Sequence, residues 1–392
     1  MVFSLLRPSD FLVPPEIGTR RWVESTEERA ARLVRVVKQF GKLPGSVEST
    51  GTGVPNQNLV QDRIAARLEA ADTHGEVPAG MRRALAQKAA HTGLSTAQQL
   101  ILGELRLDDL TEDSVANLES VIRVIGRPAW FVCYDAPEPP ERDLTRDDEC
   151  WIAKIDAAGK ALRRICGQVG VVKRIVDGNP VPIGTAWMIG TDTMITNAHV
   201  AAGLARQVRR NAGCDARDGW NMLPGIQAAV DFAFEHELAH SERCEIEDVL
   251  FVQTSRVPDI AVFRLRGAAP PARIEIDLSN RTHWQDADVF TVGHPIRDGQ
   301  GTSTAPIVFG KLDGTKRFSP GKTIGVLGGT VLAHDCSTTN GSSGSPVIDF
   351  VSLEAVGLHY FGMPDTRNES VLLAAYADHP AIVKSRQPGG WN

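Results

Sequence analysis

Residues 181–200 read VPIGTAWMIGTDTMITNAHV. Two short runs rich in apolar and β-branched residues flank GTDT, a turn composition, and this alternation of brief runs and turn residues marks strands rather than helices. The same texture continues outward. Upstream stand VGVVKRIV and then DGNP; downstream come LFVQT, IAVFRL, ADVFTVG, APIVFG, GVLGGTVLAH, SPVIDF and AVGLHY. Their spacing suits Greek-key barrels rather than βαβ units. GAAPPARIE, residues 267–275, reads as the link between two sets of strands, so antiparallel barrels are expected over about 168–266 and 275–376.

The chain before this region has a different periodicity. Apolar residues recur at three and four spacings in RAARLVRVVKQF, NLVQDRIAARLEAA, MRRALAQKAA and SVANLESVIRVIG, so residues 22–126 read as helical. Ser25 before Glu28, and Ser95 before Gln98, have the reciprocal capping spacing of helix starts, and Gly41 and Gly126 sit where helices end. APEPPERD, residues 136–143, carries three prolines and four charges; it can neither continue a helix nor donate to a ladder, and it marks the domain boundary. A further helix is expected between Asp148 and Cys166, with Trp151, Ile155, Leu162 and Ile165 on one face. The expected organisation is an α+β multidomain chain: a helical domain over 1–136, a linker over 137–145, and an all-β double-barrel domain over 146–392.

A formal net charge of −6 speaks against a nucleic-acid partner, and no apolar run approaches a bilayer span, so no membrane is expected. The start, MVFSLLRPSDFLVPPE, has neither a basic n-region nor a continuous apolar h-region. The six cysteines are scattered without a CxxC pair, and a reduced, cytoplasmic protein is the simpler reading.

Three strings carry chemistry. TNAHVA puts His199 at the end of a strand, PDIAVFRL puts Asp259 at the head of another, and NGSSGSPV puts Ser343 in a glycine-rich turn. Serine is a weak nucleophile until an imidazole takes its proton, and the imidazole needs a carboxylate to fix its tautomer and stabilise its charged form. Gly341 can take a conformation closed to other residues and present its amide beside that of Ser343, forming an oxyanion hole from Gly341 and Ser343.

At these residues the chain resembles the trypsin-like peptidases of the chymotrypsin fold, whose chain order is also His, Asp, Ser. Within them it is similar to the bacterial V8-like, or glutamyl endopeptidase, branch, over about 168–376. The resemblance rests on GTAWMI, on VGHP at 292–295, and on STTNGSSGSPV followed by VGLHY, with Asn340, Ser342 and Tyr360 departing from that branch's Gly, Asn and Trp. It implies a chymotrypsin-like double β-barrel and a cofactor-free serine endopeptidase acting on protein or peptide substrates. Thr338 and His359 would form the substrate-binding walls, with a preference for an acidic side chain. Trypsin carries an aspartate before its nucleophile to bind a newly cut amino terminus. Ser342 stands there instead, so activation by cleavage near Val169 is not expected. The helical region reads equally as a solubilising module or as a regulatory one with a protein partner, and bacterial peptidases of this layout are discussed as defence or signalling effectors.

Two alternatives stay open. A binding protein on an inert protease scaffold would keep the fold and lose the chemistry. His236, Glu237 and His240 spell HELAH, a formal match to the HExxH zinc-peptidase helix, but VDFAFEHE alternates as a strand does and no metal is expected. Cys336 reads as a buried wall residue, His294 as a packed turn histidine, and Lys316 with Arg317 as a solvated loop.

Overall fold

The computed structural model describes residues 57–72, 77–106, 109–138, 146–208, 219–238, 243–253, 257–267, 270, 272–279, 281–296, 308–363 and 367–387. The helix signals at Ser25 and Gly41 lie outside these residues.

VGVVKRIV and the run after it form β3 (Val169–Val176) and β4 (Asn179–Met188), joined by Asp177 and Gly178. Both loop residues have positive φ, 50° and 80°, the two-residue turn whose twist matches that of the strands. With β5 (Thr193–Thr196), β8 (Gln227–Asp231), β9 (Arg243–Val252) and β10 (Ala261–Arg266) they close a six-stranded barrel in the order β10-β5-β4-β3-β8-β9. Val172, Met188, Met194, Val230, Ile246 and Phe263 fill it. β6 (Ala205–Val208) and β7 (Gly219–Met222) pair as a separate two-stranded sheet that packs on the barrel core through Ala205, Trp220 and Met222.

The second barrel runs β11 (Asp288–Gly293), β14 (Pro346–Asp349), β15 (Ala355–Met363), β16 (Arg367–Leu372), β13 (Val331–His334) and β12 (Arg317–Leu327), and closes through β11–β12 pairing. The chain is thus a double six-stranded barrel of the chymotrypsin type with helices in front. One helix binds the two barrels: Arg146–Gly167, kinked at Gly159, inserts Trp151, Leu162 and Ile165 into a core shared with Trp187 and Ile195 of one barrel and Phe290 and Phe318 of the other.

The helical part contains α1 (Gln57–Ala71), α2 (Ala79–Leu102) and α3 (Glu112–Gly126). Ser95, read above as a helix start, is interior to α2. A side chain at Gly93 would meet Asn117 O at 2.4 Å, so this glycine marks the close approach of α2 and α3 rather than a break. α2 instead ends at Gly103, in the left-handed conformation.

Three readings are corrected. The tract beginning at Ala136 does join a ladder: β1 (Trp130–Cys133) and β2 (Ala136–Glu138) form a hairpin whose β1 pairs with β12. Pro137 is tolerated because β2 is the sheet's terminal strand, where a missing donor faces no partner. Lys316 and Arg317 are buried, not solvated. Lys316 Nζ donates to Cys166 O, Phe232 O and Glu235 Oε1, the last at 2.7 Å, while Arg317 donates to Phe309 O and Lys311 O under the Phe131 ring. A buried charge is held when every donor finds a partner, as these do. The strand reading of VDFAFEHE holds only to Asp231. His236 and Glu237 follow in a turn, the former packed on Phe131 and the latter at φ 61°, so these two are not on a helix; His240 lies outside the described residues.

Candidate active site

The register of the first barrel brings two of the expected residues together. Ala261 of β10 pairs with Thr196 of β5, so the residues just before β10 meet those just after β5. His199 rides on the short helix Ala198–Ala202 that follows β5, and its Nδ1 lies 2.6 Å from Asp259 Oδ2. The other carboxylate oxygen accepts the His199 backbone N–H at 3.1 Å, and Asn197 Nδ2 donates to Asp259 O at 3.0 Å. An ionised carboxylate only accepts, so Nδ1 is the protonated nitrogen and Nε2 presents a lone pair. The His199 side chain is 26% exposed.

Ser343 lies between the barrels. Thr185 N, from β4, donates to Ser343 O at 2.8 Å, and Thr196 Oγ1 donates to Thr185 O at 2.7 Å. The serine is therefore tied through Thr185 to the strand that delivers His199. On its other side Gly344 N donates to His359 O of β15. Among the described residues the Ser343 hydroxyl makes no hydrogen bond to His199; such contacts tighten when substrate is bound.

The glycines of the turn are required by the backbone. Gly341 has φ 87° and a Cβ there would meet His294 O at 2.3 Å; Gly344 has φ 90° and a Cβ there would meet Thr185 O at 2.0 Å. Two bonds aim the peptides on either side of Gly341. Ile296 N donates to Asn340 O at 2.7 Å, and Thr185 Oγ1, itself accepting from His294 N, donates to Gly341 O at 2.7 Å. In a trans peptide the N–H points opposite to the C=O, so anchoring Asn340 O turns the Gly341 amide the other way. The amides of Gly341 and Ser343 have no acceptor among the described residues. Ser342 closes the turn locally: its Oγ accepts from Thr339 N and its N donates to Thr339 O.

The expected pocket walls are arranged differently from each other. Thr338 Oγ1 donates to Asn368 Oδ1 at 2.6 Å, so its proton is committed to β16. Asn368 in turn donates to Cys336 O. His359 is buried, and its Nδ1 lies 3.3 Å from His334 Nε2. Burial pushes the His334 imidazole down to about 3, and burial, then the neighbouring His334 and His199, push His359 well below its ordinary value. Both rings are thus neutral near pH 7. His334 Nδ1 has no partner. An orphaned lone pair costs less than an orphaned N–H, which places the His334 proton on Nε2, donating to His359 Nδ1. His359 is then the Nε2–H tautomer, a neutral donor. Asn368, His334, Thr185 and Ile296 were not picked out from the sequence as site residues; none lies in a string that marks it, apart from Thr185 within GTAWMI.

Cys336 is fully buried and its thiol pushed well up by burial, and His294 is packed with Nδ1 against Gly314 O. Among the described residues no cluster of three His, Cys, Asp or Glu could hold a metal ion.

Residues 184–358 match the family model of the trypsin-like peptidase domain. The match contains His199, Asp259 and Ser343 and stops one residue before His359. Solved structures similar to this chain include the Rv3671c protease from M. tuberculosis in its active form, at 16% identity over 64% of this chain and 95% of that one, TM-score 0.38. Its inactive form matches at 17% identity over 55% and 89%, TM-score 0.35. A serine endoprotease from Yersinia pestis matches at 17% identity over 57% and 66%, TM-score 0.38. No curated protein matches the chain. No described helix is long and apolar enough to cross a membrane.

Proposed function

We propose that the chain is a serine endopeptidase that hydrolyses peptide bonds through an acyl-enzyme on Ser343. The observation that carries this reading is the His199–Asp259 hydrogen bond beside a serine turn with two amides left without acceptors. Ser343 Oγ attacks the scissile carbonyl while His199 Nε2 takes its proton. Asp259 steadies the imidazolium, and the amides of Gly341 and Ser343 meet the oxyanion. Collapse returns the proton to the leaving amine, and water, deprotonated by the same imidazole, then releases the acyl group. Replacing Ser343 with Ala should lower kcat by about six orders of magnitude. Retained activity in Ser343→Ala, or its loss to chelators, would favour HELAH chemistry; an unreactive wild-type chain would favour an inert scaffold.

The preference proposed for the residue before the scissile bond is acidic. What supports it is His359, whose Nε2–H is a neutral donor suited to a carboxylate; Thr338 shapes the wall through Asn368 instead of donating itself. Peptides differing only in Glu, Asp, Lys or Phe at that position, cleaved by wild type and by His359→Ala, test this. Equal cleavage after Lys or Phe, or an unchanged Glu preference without His359, would retire it.

A further inference from the structure

The peptidase reading leaves the three helices without a task. Their small core, including Val60, Ile64, Ala90, Leu94 and Val121, is their own. The residue that follows α3 connects it to the pocket. Arg127 is 8% exposed at its side chain and grips Asp335 at two points, Nε to Oδ1 at 2.6 Å and Nη2 to Oδ2 at 2.9 Å. Its carbonyl accepts from Ser337 Oγ at 2.6 Å. On the helical side, Arg67 of α1 donates to Ala129 O, just before β1 enters the barrel sheet.

Asp335 to Thr338 is the stretch that leaves β13 and runs to the Ser343 turn. Each of its four residues has a side-chain or backbone anchor. Asn368 holds Cys336 O and Thr338 Oγ1; Arg127 holds Asp335 and Ser337, with Lys322 N adding a bond to Asp335 Oδ1. A two-point guanidinium–carboxylate pair fixes orientation as well as distance. Without it, a carboxylate only 17% exposed loses its cation and is drawn toward water, and Thr338 lies three residues further on.

We propose that Arg127 is a positioning residue through which the helical segment braces the Asp335–Thr338 wall, making that segment part of the substrate pocket rather than a detachable module. Its catalytic consequence rests on the peptidase reading; the bracing itself does not. The test uses the full chain as wild type, Arg127→Ala, Arg127→Lys and Ser337→Ala. Readouts are KM and kcat on peptides with Glu or Phe before the scissile bond, fluorophosphonate labelling rate, and amide hydrogen exchange. Arg127→Ala should raise KM for the preferred peptide about tenfold and reduce discrimination similarly, the scale of one well-placed charged hydrogen bond. Labelling should stay within about threefold, because the triad is untouched. Exchange should rise over 335–340 and not in β3 to β5. Arg127→Lys, which keeps the charge but not the fork, should fall between, and Ser337→Ala should move the same way by less. Unchanged exchange over 335–340 and unchanged KM in both Arg127→Ala and Ser337→Ala would overturn the proposal. So would exchange rising throughout both barrels in Arg127→Ala while Arg127→Lys and Ser337→Ala keep wild-type discrimination. Should wild type neither cleave nor label, the peptidase reading fails and the exchange measurement still decides the brace.

Discussion

Asp259→Asn isolates the role of the carboxylate with almost no change in shape. In the native site one oxygen accepts His199 Nδ1–H at 2.6 Å and the other accepts the His199 backbone N–H at 3.1 Å. Asparagine offers one acceptor and one NH2 group. If the NH2 faced the backbone N–H, two donors would meet, so the amide oxygen takes that position and the NH2 faces Nδ1. Nδ1 must then accept, which moves the ring proton to Nε2, where it blocks removal of the Ser343 proton. The same exchange in a comparable triad lowers kcat about 10⁴-fold, or about 5 kcal/mol at 1.36 kcal/mol per decade. The assay is kcat on a saturating fluorogenic peptide, with thermal unfolding measured in parallel to show that the fold is kept. A loss below tenfold in a folded variant would refute the tautomer reasoning.

Lys316→Ala should destabilise by about 3–5 kcal/mol, because it strands the buried Glu235 carboxylate; Lys316→Met with Glu235→Gln should recover most of this in urea unfolding, and a neutral single variant would contradict it. Gly344→Ala should cut the labelling rate at least about 100-fold, since a Cβ 2.0 Å from Thr185 O displaces the nucleophile turn; wild-type labelling would show that the turn is not confined. Acid should weaken the fold before carboxylates protonate. His294 and His334 are pushed down to about 3, and His359 well below its ordinary value, all chiefly by burial. The unfolded chain binds these protons from about pH 6.5 downward and the folded chain does not, so stability is full above about 6.5 and falls toward pH 3 at up to about 1.4 kcal/mol per pH unit for each. Urea unfolding at pH 7.5 and pH 5 checks the sign, and His334→Gln should make the fall shallower.

The parts of the fold and of the site that were legible in the sequence are those set by local backbone chemistry. Asp177–Gly178 encodes its own turn, and TNAHVA and PDIAVFRL each put one polar residue at the end of an apolar run, so strand pairing brings His199 to Asp259. The glycines around Ser343 announce positive φ. Partnerships across long sequence distances left no such mark. Lys316 meets Glu235 from 81 residues away, and Arg127 meets Asp335 from 208, so a charged pair that looked solvated is buried. Thr338 could be placed on the pocket wall by resemblance, but its commitment to Asn368 depends on the β13–β16 pairing, which sets Asn368 opposite His334 at the end of β13, just before the stretch that carries Thr338. Pro137 argued against a strand because the sequence does not say which strand lies at an edge.

The most direct measurement is the intact mass of the full-length, uncut chain after exposure to a fluorophosphonate, with the modified residue located by peptide mapping. A single adduct on Ser343, formed without any cut near Val169 and abolished in His199→Ala, is the expected result, because the Ser342 turn closes through Thr339 without a new amino terminus. An unmodified chain, a label elsewhere, or labelling that begins only after cleavage ahead of the first barrel would contradict Ser343 as a ready-assembled nucleophile.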